Sequence, residues 1–387
     1  MARCHAEHQK PEVSKKKWQD AMFFGNTANT ANTATMHGMG DTDLYDYQLP
    51  PDLIAQEPLV DRAGARLLVV DRRTGGMSQR RVRDLPEILR PGDLVVVNDT
   101  RVVPARLIGR RVKTGGRWEG LFLRVDEDSG AWQLLATTRG RPDIGEQVML
   151  TDRDGGDALS LTLVGRAGGG AWLAIPDAAG PFEAILERVG RVPLPGYIRG
   201  GEEEKGDRER YQTVFARSGG AAAAPTAGLH FTTQLLDDLA ARGIGHVSVT
   251  LHVGLDTFRP IASPTLDEHP MHTEWCACPP ETVAAVAATR ARGGRVVAIG
   301  TTAVRTLETA ARSGTLAAWS GPTELFIRPG FEFRVVDCLL TNFHMPRTTL
   351  LVLVSVFASR GLIARAYEQA IRDQYRFLSY GDAMLIE

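Results

Sequence analysis

The sequence predicts an α/β protein, in which a layered α/β main domain carries an inserted small all-β barrel domain. In the first and last parts of the chain, apolar runs of strand length alternate with helix-length segments, which is typical of an α/β sheet. Between residues 106 and 180, short strand-like segments follow one another through Gly-rich turns without a helix, which favours a barrel or sandwich. The predicted boundaries are 41–105 and 181–387 for the α/β domain and 106–180 for the barrel.

The first 40 residues differ from the rest of the chain. The stretch GNTANTANTATMHGMG is repetitive, polar and poor in large apolar side chains. Such a segment buries too little surface to offset the entropy lost on ordering, so we expect residues 1–40 to be a disordered extension. The segment also lacks the apolar centre of a signal peptide.

The next residues predict two strands, a short helix and then the barrel. RLLVVDR (Arg66–Arg72) and GDLVVVND (Gly92–Asp99) are apolar runs bounded by turn residues, so each predicts a strand. RDLPEILRPG between them predicts a short helix that ends at Pro91 and Gly92. Six segments then predict the strands of the barrel: ARLIGRRV, WEGLFLRV, GAWQLLAT, EQVMLT, LSLTLVG and GAWLAIP.

Helices return after the barrel and alternate with strands. The pattern predicts a helix over Thr233–Arg242 with Gly243 at its C-cap, a strand over His246–Val253, and then helix, strand and helix around the Gly-Thr-Thr turn of AIGTTAVRTLE. LLTNFHMPRTTLLVLV predicts a strand that leads into a helix capped by Thr348 or Thr349. GLIARAYEQAIRDQYRF and AMLIE predict a last helix and a last strand.

The composition excludes several classes of protein. The 387 residues are 43% hydrophobic and 24% charged, as in a globular protein with room for two domains. The longest apolar run, Leu350–Ala358, is far shorter than the about 20 residues that cross a bilayer. The net charge of -1 gives no overall basic excess, so a nucleic-acid partner requires a local patch. Four cysteines without a CxxC pair favour the reducing cytoplasm.

Polar clusters lie at the ends of several predicted strands and before predicted helices: NDTRV, LHVG, GTTAVRTLE, TNFHMP and PTAGLHF. Taken singly, each histidine is best interpreted as a half-buried side chain with satisfied hydrogen bonds. The Gly-Thr-Thr turn alone is either an ordinary helix start or an anion cradle. Because parallel strands present their carboxyl ends to one crevice, the clusters together predict an active site at that edge of the sheet.

The segment MHTEWCAC contains residue types that bind zinc. A strand there would place His272, Glu274, Cys276 and Cys278 on one face. Four such positions extend over about 20 Å at ~3.3 Å per residue, which is too far to hold one ion. The cysteines are therefore interpreted as small apolar residues, and His272 and Glu274 remain candidate acid–base groups.

A basic run, RVVPARLIGRRVKTGGR, contains six Lys and Arg residues and no acid. Such a run is commonly a solvated strand face. It also suits a stripe that neutralises the phosphates of a nucleic acid, since clustered basic side chains displace counterions from the backbone. The candidates for phosphate contact are Arg106, Arg110, Arg111 and Lys113.

Nine blocks of the sequence together resemble one known family. They are YQLPPDLIAQEPL, GDLVVVNDTRVVPARL, YQTVFA, APTAGLHFT, TLHVGLDTF, MHTEW, AIGTTAVRTLE, TNFHMPRTTLLVLVSVFA and YRFLSYGDAMLI, and they run in order from about Asp43 to Glu387. The family is that of the S-adenosylmethionine:tRNA ribosyltransferase-isomerases of queuosine biosynthesis. The departures are small: Ala65 replaces a usual Ser, and Arg347-Thr348 replaces a usual Lys-Ser.

The resemblance implies a cytoplasmic transferase that modifies tRNA, on an α/β fold with an inserted β-barrel. In the family's reaction, the ribosyl moiety of S-adenosylmethionine moves to the aminomethyl group of preQ1, a 7-deazaguanine at the wobble position. The sugar isomerises to an epoxycyclopentanediol, which gives epoxyqueuosine-tRNA, while adenine and methionine leave. No metal or other cofactor is implied, because S-adenosylmethionine is consumed as a substrate. A monomer without a membrane partner is expected.

This chemistry sets demands on the site. The sulfonium acidifies the C5′ hydrogens, so a general base must remove one of them, and adenine needs a hydrogen-bond donor or acid as it departs. The acid–base candidates in the matching motifs are His230, His252, His272, Glu274 and His344. The substrate-binding candidates are the polar residues Asn98, Asp99, Thr100, Arg101, Thr226, Thr301, Thr302, Arg305 and Asn342. The resemblance assigns no single role to any one of them.

Two alternatives belong to other classes of function. An S-adenosylmethionine-dependent RNA methyltransferase predicts a Gly-rich loop after the first strand, and none follows Val70 or Val97. Its product would be S-adenosylhomocysteine, whereas ribosyl transfer releases adenine. A non-catalytic tRNA-binding protein that used the basic barrel would show no turnover and would bind equally well without the strand-end His and Asn residues.

Overall fold

A computed structural model describes residues 40–254, 257 and 259–387 of the chain. The predicted disordered extension, apart from Gly40, lies outside the described residues. Within them, no single helix is long and apolar enough to cross a membrane, and only the bent pair Thr349–Ala358 and Arg360–Arg372 reaches that length and composition when taken together.

The described elements alternate largely as the sequence predicts. The strands are β1 (Arg66–Val70), β2 (Met77–Arg81), β3 (Leu94–Asn98), β4 (Thr100–Val102), β5 (Arg106–Arg111), β6 (Arg117–Val125), β7 (Trp132–Thr138), β8 (Gln147–Thr151), β9 (Asp157–Arg166), β10 (Trp172–Pro176), β11 (Ser218–Ala221), β12 (Gly245–Leu251), β13 (Glu274–Cys278), β14 (Val296–Ile299), β15 (Trp319–Thr323), β16 (Cys338–Asn342) and β17 (Ala383–Ile386). The helices are α1 (Leu85–Ile88), α2 (Phe182–Val189), α3 (Asp207–Arg210), α4 (Thr233–Ala241), α5 (Pro280–Ala291), α6 (Thr301–Ala310), α7 (Thr349–Ala358) and α8 (Arg360–Arg372).

The main sheet has nine strands in the order β15-β13-β12-β3-β14-β16-β17-β1-β2. Its centre is parallel: β12, β3, β14 and β16 run in one direction. The strands β13 and β17 are antiparallel to their neighbours β12 and β16. The carboxyl ends of the four central strands therefore meet at one edge of the sheet, and the beginnings of β13 and β17 join them there.

The central strands are apolar because helices and loops cover both faces of the sheet. Every residue of β3 and of β14 is buried, as expected for parallel strands that contact a core on each side. Two separate hydrophobic cores lie against the sheet, and α7 contributes six of its nine buried residues to one of them. The helix α7 begins at its N-cap Thr348, whose hydroxyl accepts a hydrogen bond from the backbone N–H of Leu351.

The inserted strands form a closed barrel in the order β10-β7-β6-β5-β8-β9. All six predicted segments are strands of this barrel, so the predicted fold class is confirmed. Its core contains the fully buried Trp118 together with Leu107 and Leu134. The helix α2 also packs into this core through Leu186 and Val189, so the packing of the barrel continues past the predicted boundary at residue 180.

The barrel leaves and rejoins the α/β part at one place. Strand β4 precedes the barrel and β11 follows it, and these two pair in parallel as a separate two-stranded sheet, with Ser218 opposite Thr100. The two ends of the insertion are thus held side by side, next to the carboxyl edge of β3.

Two features of the first strands were not predicted from the sequence. Strand β2 was not predicted, because its sequence MSQRR is polar and four of its five residues are exposed. It pairs at the edge of the sheet with β1. The predicted order of strand, helix and strand is present, but β1 and β3 are not neighbours, since β14, β16 and β17 lie between them.

Candidate active site

Two cavities lie at the edge of the sheet where the central strands end. The larger, hereafter the cleft, has a volume of about 820 Å³ and separates this edge from barrel strands β5 and β6; its walls include His252, Glu274 and Trp275. The smaller, hereafter the inner cavity, has a volume of about 40 Å³ and lies at the turns that follow β14 and β16. Val253 and Thr257 line both, so the two cavities adjoin.

His252 follows β12, and its ring is held against two residues of the cleft. The ring stacks on Trp275, with 5.1 Å between the ring centroids and 18° between the planes. A side chain at Gly220 would lie 2.9 Å from His252 Nε2, and the φ of +144° at Gly220 also favours glycine. The glycine therefore leaves room for the imidazole, and the indole fixes its plane.

The hydrogen bonds of His252 indicate which ring nitrogen is free. Nδ1 lies 2.8 Å from Thr100 Oγ1, and the hydroxyl of Thr100 donates to the carbonyl of Ser218 at 3.4 Å. With that proton on Ser218, Thr100 Oγ1 would accept from Nδ1–H, and this arrangement favours the tautomer whose lone pair is on Nε2. Burial lowers the pKa of His252, and the nearby Asp99 carboxylate opposes this shift. His252 is thus neutral at pH 7 and can accept a proton at Nε2.

Asn98 and Asp99 hold strand ends together through their side chains, and their predicted binding of substrate stays a prediction. Asn98 Oδ1 accepts hydrogen bonds from two backbone N–H groups, and Nδ2 donates to the carbonyl of Leu251 at 3.0 Å. The Asp99 carboxylate accepts from Thr250 and from Arg217. Neither residue lines the cleft or the inner cavity. Asn98 fixes the position of Thr100, which in turn orients His252.

Glu274 and Arg305 form a buried ion pair beneath the junction of the two cavities. The Glu274 carboxylate contacts Arg305 Nη1 and accepts hydrogen bonds from the N–H of Gly254 (3.0 Å) and the hydroxyl of Thr257 (2.8 Å). Arg305 Nε donates to the carbonyl of Leu325 at 3.1 Å. With both oxygens engaged, Glu274 is suited to hold the turn at Gly254 and Thr257 rather than to serve as the general base. Arg305 stabilises this carboxylate, and its predicted contact with substrate stays a prediction.

Asn342, the last residue of β16, links the inner cavity to a buried histidine. Its Oδ1 accepts from the hydroxyl of Thr226 at 3.1 Å, and its Nδ2 donates to the carbonyl of Leu378 at 3.0 Å and lies 3.3 Å from His230 Nε2. Burial lowers the pKa of His230 to about 4. Thr226 and Asn342 line the inner cavity, whereas His230 does not. The structure therefore places His230 as a neutral acceptor behind Asn342, rather than as a reacting acid or base.

His344 lines the inner cavity but is held at three points. Its Nε2 lies 3.0 Å from Thr341 Oγ1, its backbone N–H donates to the hydroxyl of Tyr367 at 2.9 Å, and its carbonyl accepts from the hydroxyl of Tyr47. Burial lowers the pKa of His344 to about 3. The ring is neutral and a weak base, so tying the turn after β16 is the role that its geometry supports best.

The Gly-Thr-Thr turn leads from β14 into α6 at the inner cavity. Gly300 has a φ of +90° and is the N-cap of the helix, and Thr301 and Thr302 form its first turn. All three residues line the inner cavity. The predicted helix start is therefore in place at the carboxyl edge of the sheet.

The predicted basic stripe is not one exposed surface. Arg106 is buried and paired with Glu119 at 3.1 Å, and Arg111 is buried and paired with Glu146, with 2.7 Å between Nη2 and Oε2. The hydrogen bond from Arg111 holds the pKa of Glu146 below its usual range. Partners from other barrel strands and loops neutralise Arg106 and Arg111, so the structure gives no support to phosphate contacts by these two residues, which stay a prediction. The remaining two candidates are exposed and paired with surface carboxylates: Arg110 with Asp157 and Lys113 with Asp143.

The remaining candidates lie at the surface. Arg101 is exposed between two buried positions of β4, so it faces away from Thr100. His272 precedes β13, is exposed and lines the cleft.

Trp275 was not singled out from the sequence. In the structure, its indole is 43% exposed between buried strand positions, which is a recognisable signal for a ligand-stacking surface. In the described part of the chain, no group of three His, Cys, Asp or Glu side chains is placed to hold a metal ion.

Comparison with known proteins gives one consistent result. A family model described as "Queuosine biosynthesis protein" matches residues 42–386. An S-adenosylmethionine:tRNA ribosyltransferase-isomerase of Azoarcus sp. (strain BH72) is 52% identical over 344 residues, which are 88% of this chain and 96% of the relative. The protein of the same name from Symbiobacterium thermophilum is 50% identical, over 88% of this chain and 98% of its own. The crystal structure of an S-adenosylmethionine tRNA ribosyltransferase from Thermotoga maritima matches with a TM-score of 0.51 and 36% identity, over 89% of this chain and all of that one.

Proposed function

The chain belongs to the queuosine biosynthesis protein family, and we propose on that premise the reaction of this site. The protein is a transferase that acts on tRNA: it transfers the ribosyl moiety of S-adenosylmethionine to preQ1-modified tRNA and isomerises it. The products are epoxyqueuosine-tRNA, adenine and methionine. The observation that carries this function is the family match over residues 42–386, which includes every strand and helix that lines the two cavities.

The general base in this proposal is His252. His252 lines the cleft, its Nε2 has no hydrogen-bond partner among the described residues, and it is neutral at pH 7 because burial lowers its pKa. Nε2 would take a C5′ proton, whose acidity comes from the adjacent sulfonium. Thr100 holds the required tautomer, and Trp275 keeps the ring in its plane.

The cleft supplies space for the nucleoside parts of the two substrates. Its volume of about 820 Å³ falls within the range of roughly 300–1,000 Å³ that is typical of ligand sites. Apolar barrel residues such as Phe122 and Leu121 form one wall and the polar sheet edge forms the other. Closure of both walls on the substrates excludes water, which strengthens the electrostatic stabilisation of the migrating charge.

The tRNA itself has to reach the mouth of this cleft. Arg110 and Lys113 are the two members of the predicted basic stripe that are exposed, and we propose that they exchange their carboxylate partners for tRNA phosphates. The R110A/K113A double variant is expected to raise the KM for tRNA and to flatten its salt dependence, while the KM for S-adenosylmethionine stays constant. An unchanged salt dependence of the KM for tRNA would remove both residues from the interface.

The partners and state of the protein follow from the same proposal. S-adenosylmethionine serves as a substrate, so no further cofactor is assigned. The reaction is expected in the cytoplasm, where tRNA is modified, and a monomer is expected to carry it out, since one chain supplies both walls of the cleft.

One incubation tests the function against its alternatives. The purified chain is mixed with S-adenosylmethionine and tRNA that carries preQ1, and the nucleosides and small products are separated. The expected result is loss of preQ1 with formation of epoxyqueuosine and equal amounts of adenine and methionine. S-adenosylhomocysteine with a methylated nucleoside would show a methyltransferase, and tRNA binding without turnover would show a binding protein; either result would refute the proposed reaction.

A further inference from the structure

The start of helix α6 carries an uncapped positive end. The helix is ten residues long, and its N-cap is Gly300, which has no side chain to accept a hydrogen bond from the first turn. The N–H groups of a first helical turn have no intrahelical partner, and they form the positive end of the helix dipole. The first turn contains no acidic residue that would neutralise this end. The start of α6 is therefore available to an anionic group.

An orphaned hydroxyl at the same place independently indicates a ligand. Thr302 is 8% exposed and lines the inner cavity, and its Oγ1 is buried with no hydrogen-bond partner in the described part of the chain. Buried hydroxyls in folded proteins almost always have a partner, and an exception requires an explanation such as a bound molecule. Its neighbour along the helix, Thr306, shows the contrast, because its Oγ1 donates to the carbonyl of Thr302 at 3.0 Å.

The size and chemistry of the inner cavity select the kind of anion. Its volume of about 40 Å³ admits roughly three water-sized groups, at 10–15 Å³ for each. Among the described residues, no charged side chain lines it, and its polar walls come from hydroxyl, amide and neutral imidazole groups. A carboxylate fits this space. A backbone phosphodiester does not, because it carries a ribose on each side. Apolar residues, including Met345 and Leu350, complete the wall and suit a short alkyl chain.

The inner cavity also lies where such a chain would extend from the cleft. Val253 and Thr257 line both spaces, so a ligand whose nucleoside lies in the cleft reaches the inner cavity past these two residues. S-adenosylmethionine has this shape, with its sulfonium at the centre, its nucleoside on one side and its amino-acid chain on the other.

We propose that the inner cavity binds the α-carboxylate of S-adenosylmethionine at the start of α6, with Thr302 Oγ1 donating one of the hydrogen bonds. This assignment rests on the proposed function and extends it. It makes Thr302 a residue that selects the intact amino-acid end of the substrate. After the reaction, the same contacts hold the carboxylate of methionine until it is released.

The test compares ligands that differ at the carboxylate. Binding of S-adenosylmethionine, decarboxylated S-adenosylmethionine and methionine is measured by calorimetry with the wild type, with Thr302→Val and with the control Thr306→Val. Thr306→Val removes a buried hydroxyl from the same helix outside the cavity. A hydrogen bond to a charged group predicts that Thr302→Val weakens S-adenosylmethionine and methionine by about tenfold or more. Decarboxylated S-adenosylmethionine should bind equally to the wild type and to Thr302→Val.

Other outcomes overturn the inference. It fails if Thr302→Val weakens the intact and decarboxylated ligands equally, if it weakens neither, or if Thr306→Val has the same effect. It also fails if inorganic phosphate displaces methionine at comparable concentration, since the cavity would then be a general oxyanion site. Should Thr302→Val not fold, Thr302→Ser keeps the hydroxyl and is expected to retain the preference of the wild type for the intact ligand; a wild type without that preference refutes the assignment.

The proposed function is read separately in the same experiments. Adenine release by the wild type from S-adenosylmethionine and preQ1-tRNA reports on the reaction. A wild type that releases adenine but does not discriminate between the two adenosyl ligands contradicts the carboxylate assignment alone. A wild type that discriminates in binding but releases no adenine contradicts the reaction alone.

Discussion

His252 and His344 follow two parallel strands of the sheet, β12 and β16, and they should respond differently to the same substitution. We expect His252→Asn to lower kcat by about 10²–10⁴-fold, the usual contribution of a positioned acid or base. We expect His344→Asn to keep kcat within about tenfold, because asparagine preserves part of the hydrogen bonding that ties the turn to Thr341. Neither change removes a charge at pH 7, so tRNA binding should persist in both variants.

The difference follows from the environments of the two rings. Burial lowers the pKa of His344 from 6.5 to about 3. At 1.36 kcal/mol per pKa unit, this environment opposes protonation of the ring by roughly 5 kcal/mol. That free energy is a large fraction of the amount by which one general base lowers the activation free energy of the reaction. His252 is only half-buried and the Asp99 carboxylate favours its protonated form, so the opposing free energy is smaller. The better base is therefore His252.

The assay is single-turnover adenine release with saturating tRNA, combined with exchange of the C5′ hydrogens of S-adenosylmethionine in deuterated water. Thermal melting of each variant serves as the control for folding. If the wild type shows exchange, His252→Asn should lose it and His344→Asn should retain it. Normal turnover in His252→Asn would refute the assignment, and loss of exchange in His344→Asn alone would transfer the role of base to the buried histidine.

Three further predictions concern stability. A chain that begins at Met39 is expected to melt at the same temperature as the full chain and to keep its activity, because the residues before it are polar and repetitive. Glu146→Gln is expected to lower the free energy of unfolding by about 3–5 kcal/mol, measured in urea, because it leaves Arg111 buried without its counter-ion. Acidification from pH 6.5 to 4 is expected to lower the melting temperature, because the pKa values of His230 and His344 are about 4 and about 3 in the folded state and near 6.5 in the unfolded state. The unfolded chain alone then binds protons, which removes up to about 1.36 kcal/mol per pH unit for each histidine.

Each of these has a contradicting outcome. A lower melting temperature of the shortened chain would show that the N-terminal segment contacts the folded part. If Glu146→Gln leaves the free energy of unfolding unchanged while the exposed control Asp157→Asn lowers it strongly, burial does not determine how much the barrel ion pairs contribute to stability. A melting temperature that stays constant between pH 6.5 and 4 would show that the two histidines are not buried in the neutral form.

The fold was largely predictable because its strands carry strong local signals. The central strands are continuous apolar runs, and the six barrel segments are separated by Gly-rich turns, as Gly115 with its φ of +69° illustrates. Strand β2 was missed because an exposed edge strand needs no apolar residue. The order of the strands in the sheet was not predictable either, since it depends on which strands pair across the whole chain and not on any local pattern.

The candidate site was predictable as a place but not as a set of roles. The polar clusters do meet at the carboxyl edge of the sheet, yet Asn98 bonds the backbone of Thr100 and Leu251, and Asp99 bonds the side chains of Thr250 and Arg217. The partners of the basic run were unpredictable for a related reason, because Glu119 and Glu146 approach Arg106 and Arg111 only once the barrel has closed. The basicity of each histidine depends on how deeply its ring is buried. Burial is set by the tertiary structure, so it could not be predicted from the local sequence.

The position of β17 has a consequence for how the chain is made. This strand lies near the carboxyl end and pairs with both β16 and β1, so that Ala383 is opposite Asn342 on one side and Leu67 on the other. Because β1 and β17 are about 300 residues apart in the chain, β1 cannot pair until β17 has been synthesised. At the usual synthesis rate of about 5–20 residues per second, β1 leaves the ribosome roughly 15–60 s before β17 exists. During that interval the hairpin of β1 and β2 has an unpaired apolar edge, which is open to wrong pairing and to chaperones. The barrel, whose six strands are consecutive, can close meanwhile, so the local part of the fold is expected to form during synthesis and the long-range part only after it.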